Sequence, residues 1–223
     1  MNIVNAILAF SAAYLLGSIP VAIWAGKWFH NVDVRDHGSG NAGATNVIRV
    51  LGWRTGAPVL LFDLAKGWLA TMMPVFLHAS DKGTGMLINL QIAAGLCAIV
   101  GHIYPIFAGF RGGKGVATMF GTLLALQPLL TICCFGVFLV AIMLTGIVSI
   151  SSIAAGIAFP LFLFIIFDTP SFCFKIFSII VALTLIVTHH KNIKRLIKGE
   201  EKKLIPIGFI KIKKKSDNIR NKN

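Results

Sequence analysis

Residues 116–167 read VATMFGTLLALQPLLTICCFGVFLVAIMLTGIVSISSIAAGIAFPLFLFIIF and are almost uniformly apolar. A helix crosses the hydrocarbon core of a bilayer in about 20 residues, so this run is too long for one membrane helix or two ordinary ones. It has to be interrupted, and the candidates are Pro128 and the region from Thr145 to Ser149. The run therefore predicts a short fourth element to residue 127, a fifth to 144 and a sixth to 167. The short one, about 12 residues, need not cross fully. Upstream, the apolar stretches predict a first span over 3–25, a second over 58–77 and a third over 86–107. Downstream, the turn Asp168-Thr169-Pro170-Ser171 precedes a seventh span ending near Thr188. The fold class is thus all-α, a polytopic membrane protein of about seven transmembrane helices. Composition agrees, with 56% apolar and 13% charged residues and a mean hydropathy of +0.81; soluble chains carry about 25% charged residues.

The formal net charge is +13, and it is concentrated. From His189 to Asn223 there are 12 Lys and Arg against three acidic residues, including the run Lys211-Ile212-Lys213-Lys214-Lys215. Such a run can mean nucleic acid. Here it follows directly on an apolar span, where basic clusters attract anionic lipid at ~1 kcal/mol per residue and hold a terminus in the cytoplasm. The expected partners are therefore membrane phospholipids and not nucleic acid. The expected organisation is a single membrane domain over 1–202 and a basic cytoplasmic tail over 203–223. Seven spans and a cytoplasmic C-terminus put the N-terminus outside. Segments 27–56, 108–115 and 145–149 then lie inside with Arg35, Arg49, Arg54, Arg111 and Lys114, whereas the outer loops keep mainly Lys82 and Lys175. Every polar, Gly-rich segment shares that inner face, so one pocket could collect them. Cys97, Cys133, Cys134 and Cys173 sit inside apolar stretches without C-x-x-C spacing and read as small buried side chains. Met1–Asn5 lacks the basic region of a secretory signal, so the first apolar stretch reads as a retained helix. No internal repeat is apparent.

Three segments carry chemistry. The first is Gly38-Ser39-Gly40-Asn41-Ala42-Gly43-Ala44-Thr45-Asn46-Val47-Ile48-Arg49. It contains G-x-G-x-x-G, which signals a dinucleotide only between a strand and a helix, and here it lies between membrane spans. Its density of donors and of glycines that let backbone N–H groups approach an anion suits a phosphate cradle. A short helix over 45–50 would put Asn46 and Arg49 on one face. The second segment is Gly101-His102-Ile103-Tyr104-Pro105 with Arg111-Gly112-Gly113-Lys114-Gly115. It is not a Walker A loop: Ala108 stands where the first Gly belongs, and Gly115 where Ser or Thr holds Mg²⁺. A lysine and bare amides before an apolar helix nonetheless suit anions. His102 reads as a hydrogen-bonded structural residue. The third segment is His189-His190-Lys191-Asn192-Ile193-Lys194-Arg195-Leu196, followed by Gly199-Glu200-Glu201-Lys202; His189, Asn192 and Arg195 or Leu196 share a helical face. Adjacent histidines point apart, so no metal is expected. Asp63 and Lys66, three apart inside the second span, either pair with each other or contact substrate. Ser149, Ser151 and Ser152 either line the pocket or satisfy helix backbone groups.

Together these segments resemble the bacterial acyl-phosphate:glycerol-3-phosphate acyltransferases, the PlsY family. The resemblance is carried by Gly17-Ser18-Ile19-Pro20, Ser39-Gly40-Asn41, Gly43-Ala44-Thr45-Asn46 with Arg49, and Asp63 with Lys66-Gly67. It continues through Gly101-His102, Pro105, Gly112-Gly113-Lys114-Gly115, and His189 with Asn192-Ile193 and Arg195-Leu196. It runs from Gly17 to about Lys202. It implies a seven-helix enzyme of the bacterial inner membrane, with its motif loops converging on the cytoplasmic side. The implied reaction transfers a fatty acyl group from acyl phosphate to the sn-1 hydroxyl of glycerol 3-phosphate, giving lysophosphatidic acid for phospholipid biosynthesis. Two departures touch the donor site: His190-Lys191 stands where the family often has Arg-Glu, and Gly146-Ile147 where it often has a basic or aromatic pair.

The resemblance also implies roles. Arg49 and Lys114 bind phosphate, and Ser39 and Asn192 position glycerol 3-phosphate. The amides of Gly112, Gly113 and Gly115, with Thr45, hold acyl phosphate. Asn41, Asn46, Lys66, Ser149 and Arg195 complete the substrate-binding set, and Ser39, Arg49, Lys114, His189 and Asn192 form the catalytic one. No cofactor and no metal are called for. Phosphate is an activated leaving group, and oriented donors stabilise charge developing at the carbonyl. The H-x-x-x-x-D motif of soluble-domain acyltransferases is absent. Either His189 or a substrate phosphate accepts the hydroxyl proton, with the phosphate favoured because no carboxylate is visibly paired with His189. Two other functions fit the composition: an organic-phosphate transporter, which needs polar groups at mid-membrane reachable from both faces, and an accessory protein that binds phospholipid without reacting.

Overall fold

The computed structural model describes residues 1–167 and 171–204. Among these, all the regular structure is helical: α1 (Ile3–Gly17), α2 (Val21–His30), α3 (Ala44–Leu51), α4 (Trp53–Phe76), α5 (Gly85–Ile103), α6 (Val116–Leu126), α7 (Pro128–Thr145), α8 (Val148–Ile165), α9 (Phe172–Thr188) and α10 (His190–Ile197), with 3₁₀ turns at Val34–Asp36 and Ile106–Ala108. Five stretches are long and apolar enough to cross a membrane: Ile3–His30, Trp53–Phe76, Gly85–Ala108, Pro128–Thr145 and Val148–Ile165. A sixth is α9 taken with α10, bent by 57° where they meet. The expected fourth element is α6, whose 11 residues rise about 16 Å, roughly half the ~30 Å hydrocarbon core. Pro128 ends it by holding Gln127 in a non-helical conformation, φ −147° and ψ 80°. The expected turn at 168–170 and most of the expected basic tail, residues 205–223, lie outside the described residues.

Two expected boundaries moved. The first apolar stretch is broken at Ser18–Pro20 and then runs on to His30, because Pro20 offers no N–H and drives Ile19 away from helical backbone. The second span begins at Trp53, with Pro58 inside its early turns. The break at 145–149 stands where expected: Gly146 adopts φ +71° after α7, and extended Ile147 starts α8.

Helices α1, α4, α5 and α6 pack through small residues. Ala13, Ala70, Ala94 and Ala98 form one buried cluster. A Cβ on Gly67 would lie 2.1 Å from the Thr118 carbonyl oxygen, and one on Gly121 would lie 2.0 Å from that of Leu64. Lipid tails are as apolar as leucine, so helices associate in a bilayer by this kind of backbone approach. Helices α7–α9 pack through larger side chains, with Phe159 edge-on to Phe174 and Phe177 at 6.0 and 6.3 Å. One core joins the two groups, with Ile99, Met119 and Leu123 meeting Leu163, Val181 and Leu185. Leu61, Phe62, Val140 and Met143 point outward, as lipid-facing residues do. At one end of the bundle the Asn2 amide donates to the Ala79 carbonyl. The loops that carry the polar motifs meet at the other.

Candidate functional site

The loop before α3 is organised by one side chain. Asn46, 1% exposed, donates to the carbonyls of Val34 (2.7 Å) and His37 (3.1 Å). Its Oδ1 accepts from the Ser39 amide (2.8 Å) and hydroxyl (3.1 Å). Its polar atoms are thereby committed to the loop itself. Helix α3 forms where expected, but Asn46 faces inward. Thr45 and Arg49, one turn apart on α3, are half-buried, and so is Asn41 at the loop's end. Arg35 grips Asp33 through Nε (3.0 Å) and Nη2 (2.7 Å) and donates to the Ala108 carbonyl at 3.2 Å. Its guanidinium holds the Asp33 carboxyl well below the usual carboxylate range, and Asp33 in turn raises Arg35. Arg35 is thus neutralised by its own loop and ties that loop to the α5–α6 connection. The two loops also touch directly: a Cβ on Gly113 would lie 2.9 Å from the Ala42 carbonyl oxygen.

The α5–α6 connection turns back on α5, with the amides of Gly112 and Gly113 donating to the carbonyls of Ile103 (3.2 Å) and His102 (3.1 Å). This presents Lys114 just before Gly115, which adopts φ +79° at the start of α6. The ammonium of Lys114 donates to Asn192 Oδ1 on α10, and the Asn192 amide donates to Glu201 Oε1. Glu201 also accepts from Ser149 Oγ at the start of α8 (3.0 Å) and from Arg195 Nε (2.7 Å). The chain reverses at Gly199 (φ +69°) to bring Glu201 back beneath α10. The Leu204 amide then donates to the Gly146 carbonyl at 2.9 Å.

Burial pushes the Lys114 ammonium down to about 8; Glu201 opposes this, and Arg195 and Arg49 add to it. The same field places Arg49 within electrostatic reach of Lys114. Burial alone would raise Glu201, but hydrogen bonds from Arg195, Asn192 and Ser149 outweigh it and hold the carboxyl below its ordinary value. His189, 2% exposed, is at the α9–α10 bend within the field of Lys114 and Glu201. Its Nδ1 is 2.8 Å from the Leu185 carbonyl oxygen. A carbonyl only accepts, so Nδ1 carries the proton and Nε2 is left as an acceptor. Its orienting partner is a carbonyl and not a carboxylate. The three serines divide: Ser149 reaches the cluster, Ser151 Oγ donates to the Ile147 carbonyl at 3.0 Å, and the buried Ser152 hydroxyl has no partner among the described residues.

Arg49, Lys114, Ser149, His189, Asn192 and Arg195 therefore converge. Lys66 lies apart from them. Its ammonium is 2.8 Å from Asp63 Oδ1 and donates to the Ile19 carbonyl at 3.0 Å, with 7% of its side chain exposed. Glu201 was not singled out from the sequence, where it is one of two adjacent carboxylates in a basic stretch. A glycine followed by acid inside that stretch was the available signal, and only the chain reversal selects Glu201. Among the described residues, no group of three His, Cys, Asp or Glu side chains is placed to hold a metal ion.

The chain and its fold have known relatives. The profile of the family described as "Glycerol-3-phosphate acyltransferase" matches residues 7–199. The glycerol-3-phosphate acyltransferase of Chlorobium luteolum is 41% identical, with 89% of this chain and 95% of that protein aligned. The same named enzyme of Chlorobaculum parvum is 42% identical over 87% and 94%, and that of Streptococcus equi subsp. zooepidemicus 41% identical over 91% and 94%. Crystal structures of PlsY, an integral membrane glycerol 3-phosphate acyltransferase, superpose on the described fold. The glycerol 3-phosphate form does so with a TM-score of 0.81 at 36% identity, covering 90% of this chain and 96% of that one. The lysophosphatidic acid form gives 0.78 at 36%, covering 89% and 94%. The all-helical architecture, the stretches long enough to span a bilayer and this match over almost the whole length lead to one conclusion: the chain is an integral membrane protein and belongs to the glycerol-3-phosphate acyltransferase family.

Proposed function

We propose that the chain transfers a fatty acyl group from acyl phosphate to the sn-1 hydroxyl of glycerol 3-phosphate, releasing lysophosphatidic acid and inorganic phosphate. The observation that carries this reading is the cluster at one end of an apolar bundle in which Lys114 bonds Asn192, Asn192 and Arg195 bond Glu201, and Arg49 acts on Lys114 through its charge. Three cations against the single carboxylate of Glu201 leave a positive chamber, which suits two substrates that both carry phosphate. The two forms of the solved relative are named for glycerol 3-phosphate and lysophosphatidic acid, the acceptor and the product of such a reaction.

Lys114 and Arg49 hold phosphate, Ser39 and Asn192 orient the glycerol 3-phosphate, and the Gly115 amide with Thr45 faces the acyl phosphate. The Gly112 and Gly113 amides, expected to join them, are instead bonded to the Ile103 and His102 carbonyls and hold the shape of the loop. The sn-1 oxygen adds to the acyl carbonyl carbon, the bond from that carbon to the bridging phosphate oxygen breaks, and phosphate leaves with the electron pair. The hydroxyl proton passes to a substrate phosphate. His189 Nε2 orients the hydroxyl, since its ring lacks the carboxylate partner that tunes a strong histidine base. The chain makes seven passes, α6 covering about half the hydrocarbon core and the loops that flank it the remainder, with the N-terminus outside and the site facing the cytoplasm of a bacterial inner membrane. Residues 1–202 form one domain, followed by a basic tail. Purified protein given labelled glycerol 3-phosphate forms lysophosphatidate with palmitoyl phosphate and not with palmitoyl-CoA. Turnover confined to palmitoyl-CoA overturns the donor assignment. Glycerol 3-phosphate uptake into proteoliposomes without acyl transfer overturns the enzyme.

A further inference from the structure

Beneath the Gly112-Gly113-Lys114-Gly115 loop lies a charged cluster that the proposed chemistry does not use. Asp63 Oδ1 is 2.8 Å from Lys66 Nζ and 3.5 Å from His102 Nδ1. His102 Nδ1 is 3.1 Å from the hydroxyl of Thr118, which is itself fully buried. Lys66 donates onward to the Ile19 carbonyl, left over where Pro20 breaks the first span. These residues come from α4, α5, α6 and the α1–α2 break, and they sit inside apolar stretches where ionised groups are expensive unless paired. The cluster is contiguous with the loop. A cavity of about 10 Å³, room for one water at most, is lined by Asp63, Lys66 and His102 together with Gly112 and Gly113. A Cβ on Gly113 would lie 2.3 Å from His102 Nε2. The Gly113 amide donates to the His102 carbonyl at 3.1 Å. The phosphate-facing loop thus runs between two residues, His102 before it and Thr118 after it, whose side chains bond each other over Asp63.

We propose that Asp63 is a positioning residue: through His102 and Thr118 it fixes both ends of the 112–115 loop, and so sets the affinity of the site for phosphate-bearing ligands. Asp63 touches no substrate. The ion pair with Lys66 keeps its carboxylate oriented, and that carboxylate turns the His102 ring edge-on to Gly113, where no side chain fits. Loss of the cluster lets the loop amides and Lys114 wander, which weakens ground-state and transition-state binding alike and appears in KM before kcat. The inference rests on the proposed acyl transfer for its kinetic readout only.

The test uses Asp63→Asn and Thr118→Val in the full-length protein. Thr118→Val keeps the shape, leaves no unpaired charge and serves if Asp63→Asn does not fold. The expected result is a KM for glycerol 3-phosphate raised about tenfold in Asp63→Asn (~1.4 kcal/mol) and severalfold in Thr118→Val, with kcat within about twofold of the parent. Calorimetry with inorganic phosphate shows the same loss of affinity and needs no turnover, so it separates this inference from the acyltransferase reading: a parent that binds phosphate but does not acylate fails the latter alone. Unchanged KM and phosphate affinity in variants that merely melt lower would make the cluster purely structural and overturn the proposal. So would a fall in kcat at constant KM.

Discussion

Alkaline pH should disable this protein by discharging Lys114. Burial, reinforced by Arg195 and Arg49, brings its ammonium from 10.5 down to about 8. Because kcat/KM reports the free enzyme, it should be level up to about pH 7, fall to about half near pH 8 and then approach a tenfold fall per unit. At pH 9 roughly one molecule in ten keeps the charge, a loss of ~1.4 kcal/mol of binding per unit. The second ionisation of a phosphate monoester lies near 6, so the substrates keep a constant charge through this window. A bound phosphate stabilises the ammonium, so the fall in kcat should come at higher pH than the fall in kcat/KM. Lys114→Arg carries a guanidinium that stays charged throughout. Its activity should be lower, because the planar fork does not match the bond to Asn192, but its alkaline fall should vanish. Initial rates with labelled glycerol 3-phosphate from pH 6.5 to 10, blank-corrected for donor hydrolysis, measure this directly. A parent profile level to pH 10, or a fall at the same pH in Lys114→Arg, refutes the role given to Lys114.

Glu201→Gln should melt several degrees lower in a thermal-shift assay. It removes the charge that Arg195 and Asn192 meet, worth roughly 1–2 kcal/mol after allowing for the partial exposure of Arg195. The Glu201 carboxyl is held below its ordinary 4.5, so its stabilisation is present above that value and is lost as pH falls through the lowered one. The gap between parent and Glu201→Gln should therefore close in acid, and a gap that persists there refutes the charge argument. Gly121→Ala should cost about 1–3 kcal/mol by forcing α6 off the Leu64 carbonyl. Gly136→Ala, which meets nothing within 4 Å, should be neutral or slightly stabilising; equal melting temperatures would show that the close approach is immaterial. Asn46→Ala should abolish acyl transfer and lower the melting temperature by several degrees, because it strands the Val34 and His37 carbonyls, at about 1–3 kcal/mol for a buried one, and frees Ser39. Normal turnover in that variant would dissociate the 37–46 loop from the site.

Much of this architecture is written locally. Apolar length declares a membrane helix wherever it occurs, Pro128 ends one by its restricted backbone, and Gly146 ends another by its freedom to adopt φ +71°. The positions of the helices, apart from the early break at Pro20 and the start of α4 at Trp53, and the three donor-rich segments were therefore readable from the chain alone. The same holds for the pairing of Asp63 with Lys66, since three residues on a helix make neighbours of them. Which donors face a ligand was not readable, because composition does not say where a side chain points. Asn46 and Arg49 belong to one motif, yet Asn46 closes its own loop while Arg49 stays near Lys114. For Lys66 the sequence left open a pair with Asp63 or a substrate contact, and the ammonium is sealed against Ile19 and Asp63, whereas Glu201 carried no expected role and stands at the centre of the cluster. The joining of Lys114 and Glu201 into one cluster depends on contacts between residues far apart in the chain, Lys114 with Asn192 and Ser149 with Glu201, 78 and 52 positions apart. Only packing the helices together brings such groups within reach, so only the tertiary structure could decide them.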